Sequence, residues 1–186
     1  MAATTFTGDE VETIDLASYL RDVPDFPSEG ILFKDITPLL EAPEALACAI
    51  EQLAAFASPL QPDYVMGAES RGFILGGALA HQLGCGLALA RKPGKLPRAT
   101  IRAEYELEYG TDALELHADS IRPGARVLIH DDLLATGGTA QAKRNLANQL
   151  GAEVVGLAFI VELSFLGGRD RFNGIPLHSL VQVESD

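Results

Sequence analysis

The segment Asp131-Asp132-Leu133-Leu134-Ala135-Thr136-Gly137-Gly138-Thr139 gathers two carboxylates, two hydroxyls and a glycine pair into one short stretch. The apolar run Arg126–His130 precedes it, and Thr139–Leu150 behind it has the composition of a helix. A strand–turn–helix passage of this kind lies at the carboxyl edge of a parallel sheet, where ligands bind. Gly137 and Gly138 let the backbone take positive φ and approach a ligand closely. Free N–H groups of the turn and of the following helix then favour an anion, normally a phosphate. Thr136 and Thr139 add hydroxyl donors. No Gly-Lys-Ser/Thr follows and the Gly-x-Gly-x-x-Gly spacing is absent, which excludes a Walker A loop and a dinucleotide fingerprint. Asp131 and Asp132 would repel a phosphate and instead suit sugar hydroxyls or a Mg2+ ion. A plain helix cap would explain a Gly-Gly-Thr turn alone, but not the whole string behind a strand.

Charge points the same way. The 186-residue chain has a net charge of −12, with 14 Lys and Arg against 26 Asp and Glu, which argues against a general nucleic-acid binder. Arg71, Arg91, Lys92, Lys95, Arg98 and Arg102 fall in one window without a single acid. A basic segment in an acidic protein suits a small bound anion rather than a polyanion, although a solvated basic loop would show the same count.

Other functions are excluded by composition. No apolar run reaches the roughly 18–20 residues of a membrane span. Met1–Glu10 lacks the basic and apolar regions of a signal peptide. Cys48 and Cys85 lack metal-site spacing and read as free thiols of a cytoplasmic protein. His81, His117, His130 and His178 contain no zinc-type pair.

The elements that must hold the loop follow from periodicity. Val11–Arg21 has helical spacing through Ile14, Leu16 and Leu20, and Pro24 and Pro27 open a turn-rich loop. Ile31–Ile36 is a short apolar stretch. Pro43–Ala57 reads as a helix with proline in its first turn. Tyr64–Gly67 and Gly86–Ala90 read as strands around a helix at Gly72–Leu83. Lys92–Tyr109 is a long loop or hairpin, and Ala113–His117 an edge strand. Arg126–His130 and Val154–Val161 are continuous apolar strands of the buried parallel type. Strands alternating with helices predict an α/β parallel sheet with helices on both faces. With 47% hydrophobic residues the chain has material for one ordinary core.

Val127–Thr139 resembles the phosphoribosyl-pyrophosphate motif of the type I phosphoribosyltransferases. Further segments resemble the branch of that family that uses adenine. They are Asp25-Phe26-Pro27 with Gly30–Pro38, Glu69–Phe73, Arg91–Pro97, Leu107-Glu108-Tyr109-Gly110 and Val161-Glu162-Leu163. The resemblance runs in the same order from about Tyr19 to Leu180.

This resemblance implies one phosphoribosyltransferase domain over 1–186, with residues 1–38 forming a small base-binding hood. It implies transfer of the phosphoribosyl group from 5-phosphoribosyl 1-pyrophosphate (PRPP) to N9 of adenine, giving AMP and pyrophosphate. Asp131, Asp132, Ala135, Thr136, Gly137, Gly138 and Thr139 would bind the ribose and its phosphate. Glu69, Ser70 and Arg71, with the Glu69–Ser70 peptide cis, would meet the pyrophosphate together with Arg91, Lys92 and Lys95. Arg91 would reach a neighbouring subunit's site, so a homodimer is expected. Leu32, Phe33 and Leu163 would enclose adenine, and backbone groups around Leu32 and Lys34 would read its 6-amino edge. Pro93–Tyr109 would close over the substrates. Glu108 would exchange a proton with the purine, with Tyr109 beside it in the loop. Mg2+ would bind through PRPP and water, with no direct protein ligand. No nucleic-acid or membrane partner is implied.

Two residues depart from the family's pattern. Lys34 stands where arginine is frequent, which leaves base choice dependent on whether the backbone or the side chain reads the purine. His130 stands where an apolar residue is usual, either tuning the aspartates or simply packing beside the sheet. Two alternatives remain at this level: another base on the same scaffold, and a purine-responsive regulator. The N-terminal segment and the Leu-Glu-Tyr-Gly loop argue against the first, and the acidic N-terminus against the second.

Overall fold

In a computed structural model, residues 14–106 and 111–185 are described. The chain enters through a 3-10 turn, Leu16–Tyr19, where the Asp15 side chain accepts from the Ala17 N–H at 3.1 Å. Strand β1 (Arg21–Val23) follows and pairs antiparallel with β2 (Phe33–Asp35). The helix expected over Val11–Arg21 is therefore not formed in its described part. Leu16 is buried, but the cap and the strand take the backbone before a second helical turn can form.

Helices α1 (Thr37–Glu41) and α2 (Pro43–Ala57) come next, both with proline in the first turn, where a missing N–H costs nothing. The rest alternates: β3 (Tyr64–Ala68), α3 (Arg71–Leu83), β4 (Gly86–Ala90), the antiparallel pair β5 (Thr100–Glu106) and β6 (Thr111–His117), β7 (Arg126–Leu134), α4 (Gly138–Gln149), β8 (Glu153–Leu163) and β9 (Leu177–Val183). The order β4-β3-β7-β8-β9 forms one parallel sheet. The Ala113–His117 segment belongs to the separate β5–β6 ribbon, touching the region of β4 through the Arg91–Glu115 bridge.

Alternation along the central strands builds two cores. Val65, Leu128, Ala158 and Ile160 face α2 and α3, where Leu53, Leu75 and Leu79 cover them. Met66 and Val127 face α4 and the ribbon, against Leu146, Leu114 and Leu116, and Ile129, Leu157 and Phe159 continue that face toward Phe172. Each such aliphatic side chain contributes about 1.5–3 kcal/mol on burial, so both faces hold the sheet firmly. After β3 the chain moves outward to β4, then returns to the other side of β3 with β7. That reversal opens a crevice beyond the carboxyl ends of β3 and β7.

Candidate active site

A cleft of about 320 Å³ occupies that crevice, lined by Glu69 and Arg71 from the end of β3, Asp131 and Asp132 from β7, and the Ala135–Ala140 turn. Lys92, Tyr105 and Leu114 close its side toward the ribbon. The turn hands β7 to α4 with Gly137 at φ 83°, a conformation that L side chains avoid. A Cβ at Gly137 would also lie 2.9 Å from the Gly168 carbonyl oxygen. The N-terminus of α4, with Thr139 in its first turn, opens into the cleft and suits a phosphate.

The two aspartates sit in different surroundings. Asp132 Oδ2 lies 2.6 Å from Arg71 Nε. Burial and the neighbouring Asp131 charge push its carboxyl up to about 6, against the pull of Arg71. Asp131 Oδ2 lies 2.8 Å from Lys143 Nζ, and its Oδ1 faces the first turn of α3 so closely that a Cβ at Gly72 would come within 2.5 Å. His130 is fully buried and burial pushes its imidazole down to about 4, so the ring is neutral; its Nδ1 lies 2.9 Å from the Ala158 carbonyl oxygen. Between its two readings, packing beside the sheet is the one the surroundings favour.

The Glu69–Ser70 peptide is cis. Glu69 holds the next strand end in place: its carboxylate accepts from the Lys92 backbone N–H at 2.5 Å and from Arg91 Nη2 at 3.2 Å. Burial raises the Glu69 carboxyl, but these two donors outweigh it and leave it below its ordinary range. Five of the six basic residues of the acid-free window meet carboxylates: Arg71 with Asp132, Arg91 with Glu69, Lys92 with Asp112, Arg98 with Asp119 and Arg102 with Glu104. The basic segment is thus matched largely by acids outside it, and of its cations Arg71 and Lys92 line the cleft.

On the hood side, Phe33 stacks under Arg71, whose guanidinium carbon stands 4.9 Å from the ring centroid, and Phe26 meets Phe33 edge-on at 5.0 Å. Arg71 therefore joins the expected adenine and donor sites. Lys34 turns away to Asp22, with Nζ 2.7 Å from Oδ1. Leu163 ends β8 beside Val183 of β9 and packs on the α2 core. Ser70, Arg91, Lys95, Leu32, Phe33, Lys34 and Leu163 do not line the cleft itself. Glu108 and Tyr109 lie outside the described residues.

Sequence reasoning missed two supports. Lys143, on α4, is fully buried beneath the aspartates; its spacing from Ala140 and Leu146 on the buried stripe of α4 was the available signal. Arg169 reaches back to Glu162 with Nε 2.8 Å from Oε1, and Ser179 Oγ donates to Oε2 at 2.7 Å. This pins the Gly168–Phe172 turn, the floor beneath Gly137.

Sheet order, phosphate turn and paired aspartates together define a phosphoribosyltransferase. A family model described as the phosphoribosyl transferase domain matches residues 39–171. An adenine phosphoribosyltransferase of Brevibacillus brevis is 53% identical over 169 residues, covering 91% of this chain and 99% of that protein. The crystal structure of adenine phosphoribosyltransferase from Thermoanaerobacter pseudethanolicus superposes with a TM-score of 0.88 at 47% identity, covering 90% of this chain and 98% of that one. The enzyme from Saccharomyces cerevisiae, in complex with an imino-altritol bisphosphate and adenine, gives 0.84 at 41% identity, covering 89% and 96%. The chain belongs to the adenine phosphoribosyltransferases.

Proposed function

We propose that the cleft divides the family's purine-salvage reaction, PRPP plus adenine to AMP plus pyrophosphate, among its residues as follows. The α4 N-terminus with Thr136, Gly137, Gly138 and Thr139 holds the 5-phosphate. Asp131 and Asp132 accept from the ribose hydroxyls. Arg71, with Ser70, Lys92 and Lys95, receives the pyrophosphate as the C1–O bond breaks and its electron pair leaves with oxygen. N9 of adenine forms the new bond to C1 from the opposite face. Its proton is lost, an exchange that the Leu-Glu-Tyr-Gly match assigns to Glu108.

The observation that carries this reading is the meeting of Arg71, Asp131, Asp132 and the phosphate turn at the β3–β7 reversal. Among the described residues no group of three or more His, Cys, Asp or Glu side chains could cage a metal. The two aspartates already contact cations. That donor set fits Mg2+ held by PRPP oxygens and water, near Asp131 and Asp132. When bound, it supplies charge neutralisation at the leaving pyrophosphate.

Adenine lies by Phe33 in this reading, with backbone groups of Leu32 and Lys34 at its 6-amino edge and Leu163 across from it. The β5–β6 ribbon covers the donor and keeps water from the sugar cation. A homodimer is supported by an apolar face on α3 and the outer strand β4, where Ile74, Leu87 and Leu89 are exposed. Arg91, bound to Glu69 of its own chain, would exchange that partner to cross the contact to the neighbouring site. No described helix is long and apolar enough to cross a membrane. Free Cys48 and Cys85 suit a reducing cytoplasm.

The test is base competition. Protein, Mg2+ and PRPP are mixed with adenine, hypoxanthine, guanine or xanthine, and nucleotide is followed by chromatography. AMP from adenine alone is expected. Product from a 6-oxopurine would overturn the hood assignment, and no product from any base would overturn the activity. Leu87→Glu should convert dimer to monomer in sedimentation; a monomeric native protein would remove the proposed role of Arg91.

A further inference from the structure

We propose that Lys143 is a positioning residue for donor binding: from the buried side of α4 it fixes the Asp131 carboxylate in the cleft. Lys143 has no exposed surface and is the one fully buried lysine of the described residues. Its Nζ lies 2.8 Å from Asp131 Oδ2 and 2.7 Å from the His130 carbonyl oxygen, so it grips two successive residues of β7. A buried ammonium is costly, and an apolar side chain of equal volume would serve packing as well or better. Packing therefore does not account for a lysine here.

The two carboxylates hold their cations on different terms. Arg71 meets Asp132 at the cleft surface, with about a third of its side chain exposed, and is free to move to an incoming pyrophosphate. Lys143 is sealed beneath the strand and does not line the cleft, so it stays with Asp131 throughout turnover. On the opposite side the first turn of α3 crowds Asp131 Oδ1, and the Asp132 backbone N–H donates to that oxygen at 3.2 Å. His130 turns its ring toward Gly76 of α3 and the Ala158 carbonyl, away from this contact. Asp131 thus has one fixed orientation whether or not the donor is bound, and Asp132 is the partner released on binding. Preorganised acceptors need no rearrangement when the sugar arrives.

This inference rests on the reading of Asp131 as a donor-binding residue, and the experiment separates the two. Initial rates are measured against PRPP and against adenine for the native protein, Asp131→Asn, Lys143→Met and the double variant. Lys143→Met is expected to raise KM for PRPP by about tenfold or more, to leave KM for adenine within about twofold, and to add under about twofold on the Asp131→Asn background. Unchanged KM for PRPP in Lys143→Met, or the same factor on both backgrounds, overturns the role of Lys143. Native KM for PRPP in Asp131→Asn overturns the reading of Asp131 instead. Should Lys143→Met fail to fold, the double variant, which buries no lone charge, decides: KM equal to that of Asp131→Asn supports the role, and a further rise of about tenfold overturns it.

Discussion

Arg71 Nε lies 2.6 Å from Asp132 Oδ2 while the same guanidinium covers the Phe33 ring. One side chain thereby touches the expected sugar, leaving-group and base sites. Arg71 starts α3, where the helix dipole disfavours a cation, so its place is explained by these partners rather than by the helix. Arg71→Ala removes the charged donor proposed for the departing pyrophosphate and is expected to lower kcat/KM for PRPP by about a hundredfold or more. Arg71→Lys keeps the charge but not the planar fork and should recover only part of it. Steady-state rates check this; near-native values for Arg71→Ala would remove Arg71 from the reaction.

Asp132 gives the site a pH signature. Its carboxyl is pushed up to about 6 by burial and by the Asp131 charge. It is therefore ionised at neutral pH and takes up a proton as the pH falls through that value. The protonated form is a poorer acceptor for a sugar hydroxyl, so KM for PRPP should rise below pH 6, by up to about tenfold per pH unit for one ionisation. Stability runs the other way: a raised carboxyl binds its proton more tightly in the folded state, a contribution present at low pH and lost as the pH rises through about 6. PRPP phosphates also titrate nearby, so the measurement is the difference between native protein and Asp132→Asn from pH 5 to 8. Identical profiles would exclude Asp132 as the titrating group.

The local strand–turn–helix arrangement was legible in the sequence and its long-range support was not. Asp131–Thr139 announces itself because strand, turn and helix are contiguous. Lys143 looks like one more polar residue in a mixed helix until α4 is laid against β7, and nothing local says that its ammonium meets Asp131. Ile14, Leu16 and Leu20 met the helical spacing, yet Asp15 caps a 3-10 turn and Arg21–Val23 pairs with Phe33–Asp35, a partnership set by tertiary contact. Strand β9 was invisible because His178, Ser179 and Gln182 interrupt its apolar pattern, and Ser179 is buried by its bond to Glu162.

The Gly168–Phe172 turn supports the phosphate loop from below. A Cβ at Gly168 would run into the Ala135 carbonyl oxygen and come within 3.0 Å of the Gly137 nitrogen, both backbone atoms that do not yield easily. Arg169, bound to Glu162, prevents the turn from backing away. Gly168→Ala is therefore expected to push the loop toward the cleft, raising KM for PRPP by about tenfold while KM for adenine changes little. A variant with native donor kinetics would show that the loop adjusts freely and that the Glu162–Arg169 pair serves only the fold.

Base choice tests the departure at Lys34. Its ammonium is committed to Asp22, the residue directly opposite on β1, so the pair ties the two strands of the hood together. With that side chain engaged by Asp22, the proposed function assigns the reading of the 6-amino edge to the backbone of Leu32–Lys34. At that edge donor and acceptor exchange between adenine and a 6-oxopurine, and a backbone reader left unpaired gives strong discrimination. Lys34→Met should therefore keep the adenine-to-hypoxanthine ratio of kcat/KM within about threefold of native, while costing about 1 kcal/mol of stability or less from the lost pair. Competition assays on this variant and thermal unfolding measure the two effects separately. A ratio that falls by about tenfold or more, with stability unchanged, would instead mean that the ammonium leaves Asp22 to contact the base.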